Sequence, residues 1–319
     1  MIGCGLIGVG HHGRRYLQAL LSPNLPYRLV GFARQDINKE LPFNASGVRQ
    51  FGHFSELITD PEVDAIIAVV PPSLHSEICE AAFQAKKPLL LEKPLALRAA
   101  TAREIAAKAK SVGARVMVAH TLRFDPVSIA LKRNIDCIGE LALVTVSQRF
   151  KKGSAAWWDD AGTLGTTVLV GVHGFDLIRW LCDASIEQVS CMQSRMLTRN
   201  AADTFIALCR LSVGGTIGIV DNTRASGGRI ERVEVVGSKG VLSADITSRV
   251  LTHIRDRQRQ TVDIPKAEEQ VPACLKAFFL AVERDLEFPV SIEDALAAVE
   301  TAEACALSHE SQAFVMVGA

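Results

Sequence analysis

The chain has 319 residues, with 48% hydrophobic and 22% charged side chains, the composition of an ordinary globular protein long enough for two cores. Its 35 Lys and Arg balance 35 Asp and Glu, so no net field favours nucleic acid or an anionic membrane. No apolar run approaches transmembrane length, and eight scattered cysteines without a Cys-x-x-Cys pair point to reduced core thiols of a cytoplasmic protein, not a zinc or disulfide framework.

The N-terminus, Met1–Val9, is apolar but has no basic leader and no small-residue cleavage site. It reads as a first strand, not a signal peptide. Two Gly-x-Gly-x-x-Gly registers overlap there: Gly3, Gly5, Gly8 and Gly8, Gly10, Gly13. A dinucleotide fingerprint needs a strand before it and a helix after it. The second register leaves room for the strand and is followed by Leu17, Leu20 and Leu21, an apolar helical stripe stopped by Pro23. In that register Gly8 allows the tight turn, Gly10 lets a pyrophosphate approach, and Gly13 permits close helix–strand packing. The N–H groups of the helix start then face the phosphates.

Tyr27–Ala33 reads as the second strand and ends at Arg34. An acidic residue about 20 positions past the fingerprint binds the ribose of NAD, whereas a basic one suits the 2′-phosphate of NADP. Arg34 and Gln35 therefore favour NADP, while Asp36 keeps NAD open. Val63–Val70 is a further buried strand, ended by Pro71-Pro72, after which Ser73 is positioned to cap a helix bearing Leu74, Ile78, Ala81, Ala82 and Ala85. Leu89-Leu90-Leu91 reads as a strand buried on both faces. It delivers Glu92 and Lys93 at its carboxyl end before Pro94 stops it, and ligands bind at that edge of open α/β sheets. A helix over 99–110 closing at Gly113, then a strand over 115–119, completes a doubly wound parallel sheet.

The pattern changes after Arg123. Asp125-Pro126 is an N-cap and N1 pair for a short helix ending near Gly139. Leu141–Phe150 alternates as a strand. From about Glu187 to Ile264, strands broken by Gly214-Gly215, Gly227-Gly228 and Gly237–Gly240 imply an antiparallel sheet. The expected division is residues 1–122 for a dinucleotide-binding Rossmann domain and 123–319 for an α+β domain. The strand over 204–213 is apolar on both faces, so the sheet is expected to meet a second copy in a homo-oligomer, dimer or tetramer. Leu275, Phe278, Phe279 and Val282 form one helix face, and Ser291 with Asp294 resembles a capping box opening the last helix.

Gly8–Gly13, Pro71-Pro72-Ser73-Leu74-His75, Glu92-Lys93-Pro94, Arg123-Phe124-Asp125-Pro126 and Gly171–Asp176 occur in that order along nearly the whole chain. In this the chain resembles the glucose–fructose oxidoreductase, inositol dehydrogenase and rhizopine-catabolism (Gfo/Idh/MocA) family of pyridine-nucleotide oxidoreductases. The resemblance implies a Rossmann domain followed by a large open, mainly antiparallel sheet that carries the oligomer interface. It implies a cofactor site drawn from Gly8, Gly10, His11, His12, Gly13, Arg34, Gln35, Pro71, Pro72, His75, Glu92 and Lys93. It also implies that Lys93 lies near nicotinamide and substrate, with His173 as the acid/base partner. Substrate contacts are expected from Lys93, Arg123, Trp157, Trp158, Asp160, His173 and Asp176.

The residue types suit alcohol oxidation. Histidine titrates near neutrality and accepts the hydroxyl proton, and a lysine beside the oxygen stabilises developing alkoxide. The expected activity is hydride transfer between NADP (or NAD) and a secondary alcohol or ketone of a sugar, cyclitol or related polyol. One departure stands out. Many catalytic members carry an aspartate four residues before the histidine, where this chain has Leu169. Asp176, one helical turn on, or Asp159 and Asp160 beside the tryptophans, are candidate replacements. Leu169 also motivates an alternative on the same fold, a non-catalytic NAD(P)-binding sensor or regulator; a third reading is a glycosidase using transient nicotinamide oxidation. No metal site is expected, since the adjacent His11 and His12 point apart on a helix.

Overall fold

The structure, a computed structural model, describes residues 1–22, 27–35, 47–153, 156–160, 162–266 and 268–318. Asp36 and Pro23 lie outside them, as does the side chain of Trp157. The chain divides into two compact units. The first takes Met1–Ala96, Ala100–Ala119 and Val271–Leu296; the second takes Leu97–Ala99, His120–Gln270 and Ala297–Ala319.

In the first unit, strands β1 (Ile2–Ile7), β2 (Tyr27–Ala33), β3 (Arg49–Phe51), β4 (Ala65–Ala68), β5 (Leu89–Glu92) and β6 (Val116–Ala119) form one parallel sheet ordered β3-β2-β1-β4-β5-β6. Helices α1 (Gly13–Leu20), α2 (Phe54–Thr59), α3 (His75–Gln84) and α4 (Ala99–Val112) follow β1, β3, β4 and β5. The short strands β4, β5 and β6 are buried at every position, as a parallel sheet covered on both faces requires. Strand order reverses between β1 and β4, the switch point at which doubly wound sheets bind ligands.

The strand expected over 63–70 is shorter, because Pro71-Pro72 opens a 3-10 turn over Pro72–Leu74. That turn also displaces the expected cap. The α3 N-cap is Leu74, with no side-chain cap bond, so Ser73 does not cap the helix. Two prolines in a row favour a tight turn first, and the α-helical ladder then starts at His75.

The second unit contains α5 (Pro126–Asn134), β7 (Leu141–Lys151), α6 (Thr166–Leu169), α7 (Gly171–Cys182), β8 (Ile186–Ser194), β9 (Thr204–Leu211), β10 (Ile217–Thr223), β11 (Ala225–Gly237), β12 (Gly240–Asp245), β13 (Val250–Arg255) and β14 (Gln258–Thr261). Helices α8 (Gln270–Glu283) and α9 (Ile292–Ser311) and strand β15 (Val315–Met316) close the chain. The sheet runs β14-β13-β12-β11-β7-β10-β9-β8-β15. It is antiparallel except for the β7–β10 pair. Asp125 accepts the Val127 N–H at 2.9 Å and caps α5, with Pro126 in the first turn.

Helix α7 covers one sheet face. A Cβ on Gly174 would stand 2.6 Å from Val220, and one on Gly171 would stand 2.7 Å from Phe205, so both glycines are what allows the helix to lie this close. On β9, Phe205, Ala207, Cys209 and Leu211 are buried on the inner face, while Ile206 and Leu208 remain 46% and 45% exposed on the outer one. Within the first unit, Phe279 of α8 stacks on Tyr27 of β2 with ring centroids 3.9 Å apart. Ser291 and Asp294 make the reciprocal bonds of a capping box at the start of α9. No helix among the described residues is long and apolar enough to cross a membrane.

Candidate active site

The first unit presents a glycine loop between β1 and α1. Gly8 has φ +90°, and a Cβ there would lie 2.2 Å from the Val69 carbonyl oxygen. Only glycine fits that turn. A Cβ on Gly13 would lie 2.1 Å from the Gly8 carbonyl oxygen, whereas one on Gly10 would meet nothing within 4 Å. The loop is therefore tight below and open above, which is the surface that a diphosphate needs. The first turn of α1 carries no acidic residue, and its N-cap, His12, makes no side-chain cap bond. These residues fit a bound dinucleotide.

His12 instead turns its ring toward β5. Its Nε2 lies 2.8 Å from Glu92 Oε1, and the Tyr16 hydroxyl donates to the same oxygen at 2.7 Å. Glu92 Oε2 accepts the Lys93 backbone N–H at 2.9 Å. Glu92 is 5% exposed. Burial pushes its pKa up, but the His12 hydrogen bond and the charges of His12 and Lys93 outweigh this, and its carboxyl sits below the ordinary value. The same burial, together with the Glu92 charge, holds the Tyr16 hydroxyl well above its usual range. Sequence reasoning singled out Glu92 and His12 but not Tyr16.

His75 is fully buried. Its Nδ1 lies 3.1 Å from the Leu95 carbonyl oxygen and its Nε2 3.3 Å from that of Val70. Burial lowers its pKa, partly offset by these carbonyls. It braces the segments that follow β4 and β5. Pro71 and Pro72 form the adjoining turn. Arg34, half-buried, donates to Gln50 Oε1 at 3.0 Å beside the Phe32 ring, and Gln35 is exposed next to it.

The second unit places His173 in the first turn of α7. Arg123 and Asp176 meet as a buried pair. Nε donates to Oδ2 at 2.8 Å and Nη2 to Oδ1 at 2.6 Å, with the residues 8% and 1% exposed. Both Asp176 oxygens thus serve Arg123. His120, which the sequence reading did not name, is 1% exposed. Its Nδ1 lies 3.8 Å from Asp176 Oδ2, and its ring stands perpendicular to that of His173 at 6.1 Å. Its position directly after β6, at the carboxyl end of a parallel strand, was the available signal. Leu169 is 1% exposed at the end of α6.

The tryptophan loop divides its roles. Arg224 lies 3.3 Å over the Trp158 ring, and burial lowers the Arg224 pKa to about 10. Asp159 accepts the backbone N–H groups of Arg199, Asn200 and Ala201, which hold its carboxyl below the usual range. That carboxylate fastens a loop and is engaged there. Asp160 is exposed and accepts the Gly162 N–H at 2.7 Å.

Comparison with known proteins agrees with this architecture. The description "Oxidoreductase family, NAD-binding Rossmann fold" matches residues 2–120, and "GFO/IDH/MocA C-terminal domain" matches residues 132–243. The chain is similar to inositol 2-dehydrogenase 1 of Saccharopolyspora erythraea, at 27% identity over 96% of this chain and 93% of the relative. It is also similar to inositol 2-dehydrogenase of Acidothermus cellulolyticus, at 30% identity over 81% of this chain and 77% of the relative. Among solved structures, the aldose–aldose oxidoreductase of Caulobacter crescentus superposes with a TM-score of 0.88 at 18% identity, over 99% of each chain. The chain belongs to the Gfo/Idh/MocA family of NAD-binding oxidoreductases.

Proposed function

We propose that this chain is a dehydrogenase that moves a hydride between NAD(P) and a secondary alcohol or ketone of a sugar, cyclitol or related polyol, with NADP preferred. The observation that carries the reading is Lys93. It leaves the carboxyl end of β5 with its backbone fastened to the buried Glu92 carboxylate, in the same unit as the open glycine loop. The inositol 2-dehydrogenases among its relatives support the polyol class.

A bound nicotinamide supplies the hydride acceptor or donor. The protein's part is the proton. The Lys93 ammonium stabilises negative charge on the reacting oxygen, and the His173 imidazole takes or returns the hydroxyl proton. Leu169 offers no carboxylate, so this pair acts without one from α6. Asp176, fixed by Arg123, borders His120, and His120 borders His173. That chain of contacts supports an orienting role for Arg123 and Asp176. Trp158 and the exposed Asp160 are the proposed sugar contacts on the loop, together with Trp157.

For the cofactor, His11, His12 and the three glycines would flank the diphosphate, and Arg34 with Gln35 would hold the 2′-phosphate. The relative from Bacillus subtilis named scyllo-inositol 2-dehydrogenase (NAD(+)) uses NAD, so the preference rests on Arg34. The exposed outer sheet face, with Met192 at 71%, Ile206 at 46%, Leu208 at 45% and Ile217 at 50% exposure, supports a homo-oligomer that covers it. All eight cysteines are free thiols, seven of them buried, in keeping with a cytoplasmic protein. The test is reduction of NADP and NAD, followed at 340 nm, across inositols, aldoses and alditols. Cofactor reduction with a cyclic polyol or sugar supports the reading; an inert panel in both directions rejects it.

A further inference from the structure

The glycine loop and the strand end that carries Lys93 meet at one buried carboxylate. Glu92 Oε1 serves His12 and Tyr16, and Oε2 serves the Lys93 amide. Tyr16 is 0% exposed, whereas the His12 side chain is 44% exposed, with its ring edge-on to Tyr16 at a centroid distance of 5.6 Å. At 2.8 Å from a carboxylate oxygen, His12 Nε2 must carry a proton, since two lone pairs would otherwise face each other. We propose that His12 is a positioning residue that couples occupation of the glycine loop to the placement of Lys93, acting through the Glu92 carboxylate. The proposal rests on the reading that this loop takes the cofactor diphosphate and that Lys93 serves the reaction.

First, a buried carboxylate holds its position only while its lone pairs are satisfied. Here the partners come from two segments about 80 positions apart, so a shift of the loop displaces the carboxylate and the Lys93 backbone with it. Second, His12 is the Glu92 partner whose ring is open to solvent, so a diphosphate on the loop reaches it. A diphosphate there engages the same ring that holds Glu92, so occupation of the loop and the His12–Glu92 contact are linked. Facing the same carboxylate are Tyr16 of α1, Lys93 of β5's end, buried His75 of α3 and Cys274 of α8, with Arg15 beside Tyr16.

The experiment measures NADH and NADPH dissociation constants by nicotinamide fluorescence. It uses the full-length wild type and the variants His12→Phe and His12→Gln. Amide exchange of residues 92–96 is followed with and without the dinucleotide. His12→Phe should bind about 10-fold more weakly, the loss of one charge-assisted hydrogen bond. His12→Gln retains a donor and should recover most of that affinity. Dinucleotide should slow Lys93 amide exchange in wild type and His12→Gln but not in His12→Phe. A His12→Phe protein that binds as tightly as wild type, or keeps the protection at Lys93, overturns the coupling. No substrate is needed, so a wild type that turns over no polyol would reject the dehydrogenase reading and leave this coupling standing.

Discussion

Replacing Arg123 by leucine would leave Asp176 charged, 1% exposed and stripped of both its guanidinium hydrogen bonds. Leucine keeps much of the aliphatic stem, so the loss is electrostatic more than steric. Breaking one side of a buried pair costs about 3–5 kcal/mol, because the surviving charge has no water to return to. His120 Nδ1 remains 3.8 Å from Asp176 Oδ2, a polar neighbour that places the expected loss near the lower figure. For a unit of this size that is a fall of roughly 6–12 °C in Tm. Urea denaturation followed by circular dichroism measures it, and Arg123→Leu combined with Asp176→Leu should recover most of the stability. A loss under about 1 kcal/mol, the value of a solvent-exposed ion pair, would refute the reasoning.

Other consequences are separable. Arg34→Ala should weaken NADP binding about 10- to 100-fold, the value of a charge-assisted hydrogen bond, and leave NAD within a few-fold by fluorescence titration; equal effects would defeat the 2′-phosphate assignment. Glu92, held below its ordinary value of 4.5, contributes stability that is present above that value and is lost as pH falls through its lower folded pKa. The urea midpoint should therefore decline from pH 5 toward pH 3 in wild type and decline less in Glu92→Gln. Light scattering at micromolar concentration should give a multiple of the protomer mass, and Ile206→Lys with Leu208→Glu should shift it toward the monomer. A monomeric wild type would reject the covered-face reading.

The first unit was legible because its signals are local. Leu89-Leu90-Leu91 has no polar position to face solvent, so it reads as a buried central strand, and β5 is buried throughout. The glycine register followed from strand length, and β1 ends at Ile7, directly before Gly8. Signals that depend on distant partners were not legible. Tyr16 reads as an ordinary residue of the apolar α1 face until Glu92, 76 positions on, arrives at its hydroxyl. Arg123 and Asp176 were named singly, and their mutual pairing across 53 positions is tertiary. The segment Val271–Leu296 joins the first unit through contacts such as Phe279 on Tyr27, a packing choice with no neighbouring signal. His120 was missed because a single histidine after a strand has no motif around it. Its meaning comes from Asp176 and His173, which α7 brings to it.

On the proposed reading, Lys93 and His173 carry the proton chemistry in a chain whose expected aspartate is Leu169. Steady-state turnover of the best polyol with saturating dinucleotide, by wild type, Lys93→Ala and His173→Ala, tests this most directly. Each substitution should lower kcat by roughly 10²- to 10⁴-fold, the contribution of a positioned acid or base, while the dinucleotide affinity of His173→Ala stays within a few-fold of wild type. Either variant turning over at the wild-type rate would contradict the assignment.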